Sequence, residues 1–124
     1  MELINKLLEA LEAIDYTDFD EEYIDDILDN RDNDPFDSEW CRVNDDIENL
    51  KTDENYTKKN EEEFFEISQR AFKILSNNGC GELSAYVSDD FGMVYDSVVL
   101  GYSDEWLDKL ISTYQNKSIP RGEL

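Results

Sequence analysis

Apolar residues recur every three or four positions in several stretches of this chain, the spacing that places them on one face of a helix. At the N-terminus this spacing predicts a helix whose buried face holds Leu3, Ile4, Leu7, Leu8, Leu11 and Ile14. A second helix is predicted from Asp20 to Asp29, and acids fill the side of it that would face solvent. Its inward side would hold Tyr23, Ile24, Ile27 and Leu28.

A loop, a third helix and a longer connection are predicted next. Residues Asn30 to Asp37 combine Asp, Asn and Pro35, a composition typical of a loop. The third helix is predicted to begin at Asp37 or Ser38, and its inward residues would be Trp40, Val43, Ile47 and Leu50. Residues 51–59 lack apolar periodicity and contain three lysines, so we expect an exposed connection there.

The fourth helix is predicted to start at Asn60. Asn60 and Glu63 have the spacing of a capping box, in which two side chains satisfy free amides of the first turn. Gly79 and Gly81 mark its end. Its inward stripe consists of Phe64, Ile67, Ala71, Ile74 and Leu75.

The segment after these glycines supports two structures. Apolar residues step by four, four, three and four positions from Leu83 to Val98, which favours a helix. However, residues 83, 85 and 87 alternate as in a strand, and Gly92 weakens a helix by up to about 1 kcal/mol. The helix is favoured because its stripe is longer. Gly101 would end it, and Ser103 would cap a last helix with Trp106, Leu107, Leu110, Ile111 and Tyr114 inward.

The chain is therefore predicted to be all-α, with about five to six helices in a single domain over residues 1–124. The alternative is an α+β domain with a short strand or hairpin near residues 82–88. A chain of 124 residues that is 40% hydrophobic can bury a core, unlike disordered acidic tails.

Negative charge is concentrated in one part of the chain. Fifteen carboxylates lie between Asp15 and Glu48 against only two arginines, Arg31 and Arg42, in a protein of net charge -21. Such a field repels nucleic acid and anionic membranes, so we expect direct contact with neither. The expected partner is a basic protein.

The acidic segment also carries aromatic residues, and interfaces draw affinity from a few aromatic anchors while charges speed the encounter. Trp40 fits an inward stripe and is expected in the core, whereas Tyr16 and Phe36 lie off any clear stripe. The competing interpretation is a solvated face that maintains solubility. The predicted partner-binding residues are Asp18, Asp20, Glu21, Glu22, Asp25, Asp26, Asp29, Asp32, Asp34, Phe36 and Asp37.

The sequence offers little chemistry for catalysis. It contains no histidine, which removes the commonest general base and the sites that need imidazole. Asn30, Asp32 and Asp34 resemble calcium ligands, but Pro35 stands where an EF-hand loop needs glycine. Asp89 and Asp90 are adjacent on a helix and would point about 100° apart, so we expect them to cap or face solvent. We expect no enzyme, cofactor or metal.

The N-terminal residues lack the basic start and continuous apolar run of a signal peptide, and no stretch is apolar enough to span a membrane. Cys41 and Cys80 lie far apart, which is typical of reduced thiols, and Cys41 is expected to be a small buried side chain. The expectation is a monomer in the cytoplasm.

The final third combines the bend at Asp89-Asp90-Phe91-Gly92, the apolar run from Val94 to Leu100, and Gly101-Tyr102 followed by Ser103-Asp104-Glu105-Trp106-Leu107. In this region the chain resembles small bacterial immunity proteins, which accompany polymorphic or contact-dependent growth inhibition toxins. The resemblance implies a cytoplasmic antitoxin that binds one cognate toxin domain, often a DNase or tRNase, and blocks its active site or substrate channel. No functional residue is carried over from the family.

The charge pattern and the resemblance together predict an immunity protein that neutralises a basic toxin domain, a nuclease by expectation, by occupying its cationic cleft. Two alternatives stay open. One is an acidic DNA mimic that inhibits a restriction, repair or CRISPR component, and the other is an acidic adaptor without inhibitory activity.

Overall fold

The computed structural model describes residues 1–124 and contains six helices and no strand. The all-α prediction is confirmed. The alternative of a strand or hairpin near residues 82–88 is wrong, because one continuous helix runs through that segment. The helices are α1 (Glu2–Glu12), α2 (Glu21–Asp32), α3 (Phe36–Leu50), α4 (Lys58–Asn77), α5 (Gly81–Leu100) and α6 (Glu105–Gln115).

Helix α5 is the centre of the fold and packs against α1, α2, α3 and α4. Every residue from 90 to 97 is buried. A helix that is covered on all sides needs no polar face, so its apolar positions form a broad band instead of a narrow stripe. The strand-like alternation lies before this covered stretch, where Leu83 and Val87 are buried and Ala85 between them is exposed.

Helices α4 and α5 form an antiparallel hairpin. The hydroxyl groups of Ser76 and Ser84 lie 2.8 Å apart near the turn. Gly92 faces the ring of Phe64, and a Cβ at position 92 would lie 2.5 Å from its Cε2 atom. The glycine that weakens α5 in isolation therefore allows the two helices to approach closely.

Of three predicted helix ends, the end of α5 is confirmed, and the starts of α2 and α6 are each displaced by one residue. The side chain of Asp20 caps α2 by accepting a 2.8 Å hydrogen bond from the Tyr23 amide. Gly101 ends α5 in the left-handed region at φ 66°. The cap of α6 is Asp104 and not Ser103, because the Asp104 carboxylate reaches an amide of the first turn at 3.1 Å.

Two other boundaries were wrong. Thr57 caps α4, and its amide donates to Oδ1 of Asn60 at 2.8 Å, so Asn60 is the third residue of the helix and not its cap. The predicted loop over residues 30–37 shortens to residues 33–35, because α2 continues to Asp32 and α3 begins at Phe36. A proline just before a helix loses no hydrogen bond, so Pro35 does not prevent this early start.

The connection between α3 and α4 is less exposed than predicted. Lys51 is partly buried and its Nζ lies 2.9 Å from a carboxylate oxygen of Asp96. The Tyr56 hydroxyl donates to the same carboxylate at 2.5 Å. Leu50, predicted to point inward, is 45% exposed at the end of α3. None of the six helices combines the length and apolar character needed to cross a bilayer.

Candidate functional site

All ten predicted carboxylates are exposed, and they lie before α2, along its outer side, in the connection to α3, and at the start of α3. We call this set the acidic face. On α2 its members recur at three- and four-residue spacing, which places them on one side of the helix. The acidic face consists of Asp18, Asp20, Glu21, Glu22, Asp25, Asp26, Asp29, Asp32, Asp34 and Asp37.

No carboxylate of the acidic face forms an ion pair within the chain. Arg31, Arg42 and Lys51 all pair with acids outside it. The remaining ion pairs lie in α1 and α6. The acidic face therefore presents its charge unbalanced to solvent.

Only three carboxylates of the acidic face accept hydrogen bonds through their side chains. Asp20 caps α2, Asp32 accepts from the Tyr86 hydroxyl at 3.0 Å, and Asp34 accepts from the Ser38 hydroxyl. The other seven accept none from the protein. No group of three or more acidic or cysteine side chains in the structure is arranged to hold a metal ion.

Phe36 was predicted to contact a partner, and this prediction is not retained because the side chain is 1% exposed. Its ring packs edge-on against Trp106 with centroids 5.2 Å apart. The guanidinium carbon of Arg31 lies 4.5 Å from the centre of the same ring. A partner could reach Phe36 only by opening the core.

Other aromatic side chains border the acidic face and remain partly accessible. Tyr16, Phe19 and Tyr23 form a row of edge-to-face contacts, with centroid distances of 5.0 Å and 4.8 Å. The Tyr16 hydroxyl donates to the Leu11 carbonyl at 2.8 Å, which fixes the start of the row to α1. These three rings are therefore accessible anchors beside the charges.

Beneath the acidic face lies a buried ion pair that sequence reasoning missed. Arg31, on α2, donates through both terminal nitrogens to the carboxylate of Asp90, on α5, at 2.8 Å and 2.7 Å. The Trp40 indole donates to the same carboxylate at 2.9 Å and the Tyr114 hydroxyl at 2.5 Å. Asp90 is 0% exposed. The expectation that Asp90 caps or faces solvent is thus wrong.

The surroundings favour the charged form of Arg31 and the protonated form of Tyr114. Burial alone would lower the pKa of Arg31, but the paired Asp90 raises it above its ordinary value. Burial and the Asp90 charge also raise the pKa of Tyr114 well above its usual range, so its hydroxyl stays a donor. One carboxylate therefore joins α2, α3 and α6 to the central helix and gives the acidic face a fixed support.

The sequence did hold a signal for this pair. Arg31 follows Ile27 by four residues on the buried side of α2, and Asp90 follows Val87 by three on α5. A charged residue on an apolar stripe is rarely left unpaired. Two such residues of opposite charge are therefore candidates for a buried ion pair with each other.

The two cysteines are free, and Cys80 is buried. Cys41 was predicted to be buried but is exposed. Partial desolvation and the carboxylates of Asp37 and Asp45 raise the pKa of its thiol. A raised pKa disfavours the nucleophilic thiolate, so neither its position nor its charge environment activates Cys41.

Comparison with known families gives one match. The family model described as "Immunity protein PIM1" matches residues 3–121, which is nearly the whole chain. No curated protein and no solved structure matches this chain.

Proposed function

This chain belongs to the immunity protein PIM1 family, and we propose that it neutralises a basic toxin domain by placing its acidic face in the cationic cleft of that domain. Membership of the family implies a cognate toxin as the partner. We propose that this toxin is a nuclease, because nucleases bind phosphates with the arginine and lysine side chains that carboxylates would also attract.

The observation that carries the proposal is the unbalanced charge of the acidic face. Ten exposed carboxylates without one ion pair repel each other and disfavour the compact state, yet the chain has lysines and arginines that could have balanced them. A cationic cleft removes this repulsion on binding. The unpaired charge that destabilises the free protein therefore favours binding and speeds the approach of the two proteins.

The surrounding structure suits inhibition by contact. Tyr16, Phe19 and Tyr23 offer partly exposed rings beside the charges, and aromatic side chains are enriched among the residues that dominate binding. The buried pair of Arg31 and Asp90 holds α2 against the core, so little ordering is needed on association. Inhibition of this kind requires no catalytic group, and we propose that the protein is not an enzyme.

We further propose that the protein acts as a monomer in the cytoplasm, as part of a contact-dependent growth inhibition or other polymorphic toxin system. The proposal of a cytoplasmic site follows from the toxin class, because a nuclease acts where nucleic acid is found. Neither cysteine is paired, which agrees with a reducing compartment.

The first step of the test is to express this protein with an affinity tag in its native bacterium and to identify the partner that is purified with it. The recovered toxin domain is then expressed with this chain, with an Asp25→Lys/Asp26→Lys/Asp29→Lys variant, or alone, and growth and nuclease activity are measured. We expect the natural chain to restore growth and abolish cleavage of nucleic acid, and the variant to protect less.

Other partners would redirect the conclusion. Stoichiometric recovery of a restriction, repair or CRISPR component would support the DNA mimic instead. An acidic metabolic enzyme as the sole partner would contradict inhibition through the acidic face. A toxin that is bound but keeps its full activity would show an adaptor role.

A further inference from the structure

A pocket opens at one end of the acidic face, where α2, α3 and α5 meet. Its volume is about 210 Å³, below the roughly 300–1,000 Å³ of pockets that hold small-molecule ligands. It therefore has room for one side chain and not for a nucleotide. Its lining includes Arg31, Asp32, Asp37, Trp40, Tyr86 and Asp89.

The rim of this pocket is negatively charged. Asp32, Asp37 and Asp89 are exposed and none of them has an ion-pair partner in the chain. The one cation in the lining, Arg31, is already balanced by Asp90 behind it. Desolvation by the surrounding side chains and the charge of the neighbouring Asp90 raise the pKa of Asp89, an effect that a bound cation would reverse. The occupant that fits such a rim is a cation.

The walls are aromatic, which narrows the choice of cation. Trp40 and Tyr86 are both partly exposed in the lining. The Tyr86 hydroxyl donates to Asp32 at 3.0 Å and so fixes one rim carboxylate against one wall. A guanidinium is planar, stacks on aromatic rings, and presents several donors to carboxylates, whereas an ammonium is a strongly hydrated point charge.

Arg31, one of the lining residues, carries an unpaired donor. The Arg31 side chain is 3% exposed and its terminal nitrogens bind Asp90 and the Pro120 carbonyl. Its Nε has no hydrogen-bond partner. Buried donors without an acceptor are rare in folded proteins, so the packing around this pocket leaves one hydrogen bond of Arg31 unmade.

Building on the proposed function, we infer that this pocket receives a single arginine side chain of the toxin. The guanidinium binds the carboxylates of Asp32, Asp37 and Asp89 between the rings of Trp40 and Tyr86. The pocket thereby fixes the register of a complex whose approach is driven by the more diffuse charge of α2.

The pocket can be tested without the toxin. The probe is blocked arginine, N-acetyl-arginine-N-methylamide, titrated into the ¹⁵N-labelled protein at constant ionic strength. We expect saturable shifts of the Trp40 indole signal and of the backbone signals of Tyr86 and Asp89, with a Kd on the order of millimolar. Blocked citrulline has nearly the same shape without the charge, and equal binding of citrulline or blocked lysine would overturn the assignment.

Variants test the pocket within the complex. Asp37→Asn/Asp89→Asn removes two rim charges with little change in shape, and Glu61→Gln/Glu62→Gln removes two exposed charges on α4, outside the lining. We expect the first pair to weaken both probe and toxin binding at least tenfold, and the control pair to change either by less than about twofold.

The arginine pocket and the proposed function can be refuted separately. If the toxin binds the rim variant and the natural chain equally, the arginine pocket is wrong and the proposed function stands. If no toxin binds the natural chain, the proposed function is wrong, and the blocked-arginine titration still decides whether the pocket is an arginine site.

Discussion

Removing one half of the buried Arg31–Asp90 pair should destabilise the protein more than any single change on its acidic face. The Asp90 carboxylate accepts four hydrogen bonds, two from Arg31 and one each from Trp40 and Tyr114. Asp90→Asn keeps the volume but leaves a buried guanidinium without a counter-charge. Breaking a buried ion pair in this way costs about 3–5 kcal/mol.

The pairwise part of this cost can be isolated with a double-mutant cycle. Arg31→Gln leaves the opposite charge unbalanced and should also cost about 3 kcal/mol, whereas the double variant replaces the ion pair with two neutral amides. We expect the double variant to be no less stable than either single one. This corresponds to a coupling free energy of at least about 3 kcal/mol.

Urea unfolding followed by far-UV circular dichroism and tryptophan fluorescence measures these free energies. Domains of this size are stable by about 5–15 kcal/mol, so losses of about 3–5 kcal/mol should lower the urea midpoint strongly. Asp53→Asn is the matched control, because Asp53 is exposed and forms no side-chain bond, and it should change stability by less than about 0.5 kcal/mol. A loss below about 1 kcal/mol in Asp90→Asn, or additive effects in the cycle, would refute the reasoning.

Three further outcomes are expected. Gly92→Ala should destabilise the fold by about 1–3 kcal/mol because its Cβ would meet Phe64, whereas Gly81→Ala, which meets nothing within 4 Å, should not; thermal unfolding compares them. The Arg42 hydrogen bond lowers the pKa of Asp104, so this carboxylate stabilises the fold above about pH 4. Asp104→Asn should therefore lower the free energy of unfolding by less than about 1 kcal/mol at pH 7. The difference in stability between the variant and the natural chain should vanish as the pH falls through the lowered pKa. Raising NaCl from low concentration should raise the Tm of the natural chain, because salt screens the unpaired carboxylates, and a Tm that falls would contradict this.

The sequence predicted the helices best where each exposes one face to water. In α1, α4 and α6 the polar side interrupts the apolar residues and makes the period visible. In α5 the exposed Ala85 stands between the buried Leu83 and Val87, so this segment also matched the alternation of a strand. Helix caps were less predictable because neighbouring polar residues, such as Ser103 and Asp104, compete for the same amides. Capping by one residue or by its neighbour changes the free energy of the helix by little.

The residues of the candidate site also differ in how well they could be predicted from the sequence. The carboxylates of the acidic face were predictable because acids without partners stay in water whatever the fold. The burial of Phe36 was not predictable from the segment around it, because it depends on Trp106 and on the Arg31 guanidinium. The pocket was likewise hidden, since Tyr86 and Asp89 meet α2 and α3 only through tertiary packing.

Association kinetics with the cognate toxin test the central claim most directly. Stopped-flow rates are compared over a range of NaCl concentrations for the natural chain, for Asp25→Lys/Asp26→Lys/Asp29→Lys, and for Glu61→Lys/Glu62→Lys/Glu66→Lys on α4. Both variants change the net charge equally, so they differ only in where the charge lies. We predict that reversal on the acidic face slows association at least tenfold at low salt and flattens its salt dependence, while reversal on α4 changes the rate by less than about threefold. Equal effects of the two reversals, or an unchanged rate after reversal on α2, would contradict docking through the acidic face.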